Sequence, residues 1–426
     1  MPESEALTPD RAYNRYVLVA LTSVYTLNCL DGGVIALLLQ PIKRDLHLSD
    51  TQLGFLTGIA FGIFYATLGL PIARWADRGN RVTITSMAIG IWGATVMSCV
   101  FVANFAQLTL ARIATAVGEA GCMPPTYSLL GDYFPEPAQR TRAMTVYMLS
   151  GPLAALVSFT VGGWLNDHYG WRMTFFFVGI PGLFAAALVK LTIREPRLHQ
   201  HRAGSAHHTA PRTATVLNSL WQRRSARNLS VALILLYTMG NGLGPWYAAF
   251  MIRSHGMSTA ELGLWLGLLF SSGGLVGVCL GGYVVSRWFA GDARGQLRFS
   301  AAAVAALVPS FLVFLLAQDR YWALVALLPL LVAFSVFLGP TFALLQQLVN
   351  DEMRATALAI VMLFANLIGT GIGAQVVGAL SDLLFPVLGS DSLRYAMLAM
   401  SLVALWAAYH FWQAGKTVKA DLAVAC

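Results

Sequence analysis

Long apolar runs alternate with short polar breaks along the chain. Apolar stretches cover residues 16–40, 51–73, 82–104, 107–131, 142–165 and 173–193. After a polar interval they resume at 229–252, 260–286, 299–317, 321–348, 356–384 and 393–413. A helix needs about 20 apolar residues to cross the hydrocarbon core of a bilayer. The pattern therefore predicts an all-α polytopic membrane protein of twelve transmembrane helices in two six-helix bundles. The N-terminal bundle occupies residues 1–193, a linker 194–228 and the C-terminal bundle 229–426. Composition points the same way. Of 426 residues 57% are hydrophobic and 11% charged, with a mean hydropathy of +0.64, whereas a soluble domain carries about 25% charge. Lipid is the solvent for most of this surface.

The halves echo each other. Arg140-Thr-Arg-Ala143 precedes the fifth run and Arg354-Ala-Thr-Ala357 the eleventh. Both runs then end in a Gly-rich stretch before an acid: Gly162-Gly163 with Asp167, and Gly378 with Asp382. Two related bundles with a substrate site between them are the plan of many secondary transporters.

Charge sets the orientation. Most of the 28 Lys and Arg residues fall in the tails, the linker and the even-numbered loops. The other loops hold only Lys43, Arg44, Arg172, Arg253, Arg320 and Arg394. Because basic loops stay in the cytoplasm, both termini are expected there. The net charge of +8 then reflects basic loops and not a nucleic-acid partner. The polar, acidic start Met1–Asp10 and the long first run do not resemble a cleaved signal. The five cysteines show neither metal-site nor disulfide spacing. His199, His201, His207 and His208 lie in the basic linker and read as a solvated tract. No metal or cofactor is expected, the economy of the loops points to a monomer in a bacterial cytoplasmic membrane, and no motif of an enzyme is present.

Three charges interrupt the apolar runs: Asp31 in the first, Arg112 and Glu119 in the fourth. A charge at bilayer depth costs at least a few kcal/mol and usually faces a cavity. Arg112 and Glu119 are seven residues apart, about 10 Å along one helix face. Asp31 is the natural partner for one of them. Arg112 stays protonated and is a candidate anchor for an anionic head group; Asp31 and Glu119 are candidates for carrying a proton. A static ion-pair network that only fixes packing is the alternative. Tyr25, Asn28 and Tyr65 are further candidates for the cavity wall, with Asn366 and Gln375 in the eleventh run. Trp246 and Tyr247 follow a helix-weakening Gly240-Asn241-Gly242-Leu-Gly244-Pro245 and read as a gate facing the cavity, or else as interfacial anchors.

After the second run comes Gly69-Leu-Pro-Ile-Ala-Arg74-Trp-Ala-Asp77-Arg78-Gly79-Asn80-Arg81. It resembles the signature loop of the major facilitator superfamily, with Ala73 where that family usually has Gly. The resemblance implies a conformational gate of Asp77, Arg78 and Arg81, with Asp132, Arg140 and Arg354 as a second set. In the second half the signature is eroded: Gly281-Gly282-Tyr-Val-Val-Ser286-Arg287 lacks the acid. Arg112 to Gly121 followed by Pro124-Pro125, and Gly339-Pro340 to Gln346, resemble the Spinster-like branch. That branch usually has Asp-Arg in its first span; here Asp31-Gly32-Gly33 keeps the acid without the cation.

The resemblance implies alternating-access transport, proton-coupled, of an amphipathic or anionic small molecule such as a lysolipid, with membrane lipids as surroundings. An organic anion symporter, a drug exporter and a substrate-sensing receptor of the same fold are the alternatives.

Overall fold

Helix starts are written into the polar breaks. Ser49 accepts a bond from the Gln52 N–H while the Gln52 side chain bonds back to the Ser49 N–H, closing a capping box. Asn80, Asn104, Ser258 and Asp319 cap the helices that follow them, each side chain accepting from N–H groups that a first turn leaves free. The computed structural model describes residues 11–196 and 213–425, and among these only helices and short connections occur. The linker histidines lie outside the described residues.

Among the described residues eight stretches are long and apolar enough to cross a membrane. Two of them are double passages. Pro137–Thr192 turns back at Gly170, whose φ of 78° belongs to the left-handed region that glycine enters without a side-chain clash. Thr356–Ala423 also passes twice. Two further passages fall short by length or charge. One is Phe105–Ala120 with Met123–Tyr133, which carries Arg112 and Glu119. The other is Arg224–Tyr237, a π-helical turn Thr238–Gly242, and Leu243–His255. Numbered in chain order, these are the twelve spans the sequence predicts, with both described ends on one face, here called the terminus-bearing face. The helix of span 7 begins at Arg224, ahead of the apolar run, and a short helix Thr213–Gln222 precedes it.

In lipid, helices gain little from hiding apolar surface from each other, so close approach through small residues holds them together. The halves meet along two such seams. Span 2 packs on span 11: a Cβ on Gly58 would stand 2.2 Å from the Gly371 carbonyl oxygen, and one on Gly378 2.2 Å from that of Asp50. Span 5 packs on span 8: a Cβ on Gly163 would stand 2.2 Å from the Thr259 oxygen, and one on Gly263 2.2 Å from that of Phe159. Each neighbour is backbone and cannot step aside. Gly163→Val and Gly378→Val are therefore expected to force the seams open at a cost of about 1–3 kcal/mol. A cysteine replacing Ser381, fully buried on the face opposite the termini, should then gain access to a thiol-reactive probe in the same seam-wedged variants.

The helices break where the halves enclose space. Span 1 is interrupted at Cys29, span 2 at Gly58, span 4 at Gly121–Cys122 and span 5 at Leu149. Spans 7 and 11 carry π-helical turns at Thr238–Gly242 and Ala365–Ile372. Irregular backbone is tolerated at membrane depth only against protein or a polar cavity.

Candidate functional site

Those breaks surround a central cavity of about 310 Å³ between the halves. Cys29, Thr57, Glu119, Gly151, Gly240 and Thr370, each beside or within a break, line it. Phe61, Phe159 and Phe270 give it aromatic walls. The charge comes from one side. Arg112, only 4% exposed, lines the cavity and forms an ion pair through Nη1 with Asp31, itself 2% exposed. The Phe61 ring lies 5.0 Å from the guanidinium carbon, so a cation–π contact holds the flat group from above. Span 1 thus supplies the counter-charge, span 2 the aromatic face and span 4 the cation.

Several polar atoms here have no partner. Arg112 Nε, Glu119 Oε2, both amide atoms of Asn28 and Thr370 Oγ1 are buried without a hydrogen bond. Buried polar atoms are normally satisfied. Such a cluster around one void marks a place that water or a polar ligand completes.

The cavity is closed toward the face opposite the termini. Asp50, 2% exposed at the start of span 2, accepts bonds from Arg253 of span 7 at 2.6 and 2.7 Å and from Lys43 at 2.5 Å. Ser381 of span 11 adds a fourth at 2.6 Å, and Arg253 Nε reaches Gln40 at 2.5 Å. Two carboxylates complete the seal. Asp382, at the end of span 11, accepts the backbone N–H groups of Asp50 and Thr51 at 3.0 and 2.7 Å. Asp167, at the end of span 5, accepts those of Thr259 and Ala260 at 3.2 and 3.0 Å. Each acid caps the first turn of a helix in the other half, where the N-terminal dipole favours negative charge. The two contacts are related by the internal repeat.

Polar contacts traced at the terminus-bearing face run within a half. Arg81, fully buried, binds Glu195 by an ion pair, Ser128 at 2.9 Å and Asp132 at 2.7 Å. Arg140 donates to the carbonyls of Gly131, Phe134 and Pro135 at the end of span 4. Arg354, its repeat partner, donates to the Gln346 carbonyl at the end of span 10.

The model of the Major Facilitator Superfamily matches residues 21–374. The chain belongs to that superfamily. Over 96% of its length it superposes on 98% of a bacterial homologue of the human lysosomal transporter Spinster, crystallised inward-facing and unoccupied, with a TM-score of 0.85 and 28% identity. It is also 31% identical over 415 residues to an MFS-type efflux pump of Mycolicibacterium smegmatis, covering 97% of this chain and 95% of that protein. Spinster homolog 1 of Xenopus laevis is 22% identical over 92% of this chain and 79% of its own. The chain is a major facilitator transporter of the Spinster-like type.

Within this transporter the predicted residues fall into three groups. Arg112 and Glu119 line the cavity, with Asp31 behind Arg112 and Asn28 beside Cys29. Tyr25 and Tyr65 stand one layer back, stacked on Tyr147 at 4.9 Å and on Phe61 at 5.5 Å. The third group lies elsewhere. Trp246 is buried in the seam and donates to the Ala374 carbonyl at 3.2 Å, while Tyr247 packs edge-on against Phe314. The cavity wall of span 7 is made instead by Gly240, Asn241, Gly244 and Pro245. Asn366 bonds to the Met362 carbonyl of its own helix. Arg78 is exposed, and the side chain of Asp77 lies outside the described residues. Among the described residues no cluster of side chains is set to hold a metal.

Sequence reading missed Asp50, Arg253 and Glu195. Nothing near Asp50 in the chain distinguishes it from a solvated first-turn acid. The only signal for the facing seal was the repeated acid after a Gly-rich turn, at Asp167 and Asp382.

Proposed function

We propose that this protein is a proton-coupled secondary transporter that moves an amphipathic anion by alternating access. Both termini are cytoplasmic, so the sealed face is external and the structure is the inward-facing state of a monomer in a cytoplasmic membrane. One observation carries the reading: a guanidinium in an aromatic-walled chamber is held by Asp31 on one edge, while its Nε and the neighbouring Glu119 oxygen stay unpartnered. An anionic head placed on that free edge competes with Asp31 for Arg112. A proton on Asp31 or Glu119 removes the competing negative charge and favours the anion; its loss favours release. Only such a difference in affinity between states moves the equilibrium. The aromatic walls beside the guanidinium support an amphipathic cargo, and the efflux pump among the relatives supports export. Asn28 and Thr370 supply further polar contacts, and the exchange between Arg81 partners at the cytoplasmic end accompanies closure there.

Counterflow in proteoliposomes with a lysolipid panel against a sugar-acid panel tests the cargo class. Lysolipid exchange is the expected result; exchange of sugar acids alone places the protein among organic anion symporters. Glu119→Gln and Asp31→Asn test the coupling. At least one should flatten the pH dependence of exchange by roughly tenfold, the size of a lost general proton-binding step of about 1.4 kcal/mol. An unchanged pH profile in both variants removes coupling through these residues.

A further inference from the structure

A second void lies between spans 8 and 10. Its volume is about 470 Å³, and it is bounded by Val278, Gly282 and Val285 on one side and Leu338, Gly339 and Ala343 on the other. Its place follows from helix periodicity. Gly263, Gly267, Phe270, Gly274, Val278, Gly282 and Val285 recur every three or four residues and so share one face of span 8. The upper part of that face is sealed: Gly263 meets Phe159, and Gly267 meets Leu156 and Thr160, all of span 5. Phe270, next along, lines the central cavity. The void occupies the continuation of the same face toward the terminus-bearing end, on the cleft between the halves.

Glycines on this part of the lining leave it open. Nothing lies within 4 Å of where a Cβ would stand on Gly274, Gly282 or Gly339. Val278 begins two helical turns from Phe270 and Val285 lies four turns away, about 12–22 Å along the axis. The lining is apolar apart from Ser286 and Ser335, and the Ser286 hydroxyl is already bonded to the Tyr283 carbonyl. The near end is the opposite in character, with Arg112 and its unpartnered Nε in the adjoining cavity. A polar end and an apolar end at this separation fit one molecule with a charged head and a single long hydrocarbon chain.

We propose that the slot between spans 8 and 10 holds the aliphatic chain of the cargo while its anionic head rests at Arg112. This rests on the function proposed above and sharpens it: the slot makes chain length a determinant of selection. Burial of each methylene contributes about 0.8 kcal/mol, so a long chain gains affinity that a short one cannot.

The test is separable from that of the function. In a cysteine-free background, Gly339→Cys is labelled with a maleimide in nanodiscs, with and without lysophosphatidate bearing a hexadecanoyl or a hexanoyl chain. The hexadecanoyl probe should slow labelling at least fivefold and the hexanoyl probe should not. Equal protection by both, protection by neither, or a site already protected by bulk bilayer lipid without probe overturns the slot, whatever the transport assays give. In counterflow, Gly282→Leu with Gly339→Leu fills open space and should cut hexadecanoyl exchange at least tenfold while hexanoyl exchange stays within twofold. Equal loss for both chains, or no loss for either, contradicts the proposal. If the native protein exchanges neither chain, the function reading fails, and the labelling result still decides the slot.

Discussion

Arg112→Ala is expected to abolish transport and to lower the stability of the fold by about 3–5 kcal/mol at neutral pH, the usual consequence of leaving one member of a buried ion pair alone. The orphan would be Asp31, 2% exposed, with the guanidinium that held it gone. The sign of the pH effect follows. An isolated buried carboxylate is relieved by taking up a proton, so the loss of stability shrinks as the medium is acidified. Adding Asp31→Asn removes the orphan charge and should restore most of the thermal stability. It should not restore transport, because the head-group anchor is still missing. Thermal unfolding in detergent at neutral and acid pH, beside counterflow, separates the two effects. If the double variant regains transport, the pair only fixes packing.

Arg253→Ala should have the second-largest effect, and on the opposite face. Arg253 makes two short bonds to Asp50 across the halves and also holds Gln40. Without it Asp50 keeps Lys43 and Ser381, which together do not bind span 7. The seal loses its only guanidinium, while the Asp167 and Asp382 caps remain. The closed state should lose about 2–4 kcal/mol relative to the state open on that face, enough to shift a two-state population by a factor of thirty or more. The expected signature is a protein that samples the open external face without cargo or proton, with raised reactivity of a cysteine replacing the fully buried Ser381. Transport should become weakly dependent on pH, since the step that the proton drives is no longer opposed. Asp167→Asn should weaken the seal less: the amide oxygen replaces only one of the two carboxylate oxygens that accept the Thr259 and Ala260 N–H groups and the charge that favours a helix start is lost, but the Asp50–Arg253 contact remains.

What could be read from the chain follows from how local the cause is. Twelve spans, the two-bundle plan and the charged trio were legible because lipid imposes a long apolar run on every span and makes each exception conspicuous. Arg112 and Glu119 come together by the pitch of one helix, and Asp31, the one charge inside the first apolar run, is their natural partner. Trp246 shows where such reasoning stops. Its Gly-rich approach marks an irregular helix, but which residues turn to the cavity depends on the π-helical turn at Thr238–Gly242. That turn adds a residue and rotates Trp246 into the seam, leaving Asn241 and Gly244 on the wall. Asp50 illustrates a different limit. It follows a capping Ser49 and looks solvated, and the Arg253 and Ser381 side chains that cover it are 203 and 331 residues away. The glycines of the seams were visible, but their reason, a carbonyl of the other half in the space of a side chain, is a tertiary fact.

The chamber around Arg112 must open to the two faces in turn, and spin-label distances test this most directly. One pair, at His47 and Val387, spans the sealed face; a second, at Arg142 and Trp288, spans the terminus-bearing face. All four positions are exposed. In nanodiscs, acidification with a long-chain lysolipid should lengthen the first distance and shorten the second, and Arg253→Ala should lengthen the first without either. Distances that stay fixed under all conditions, or that lengthen on both faces together, would contradict the account.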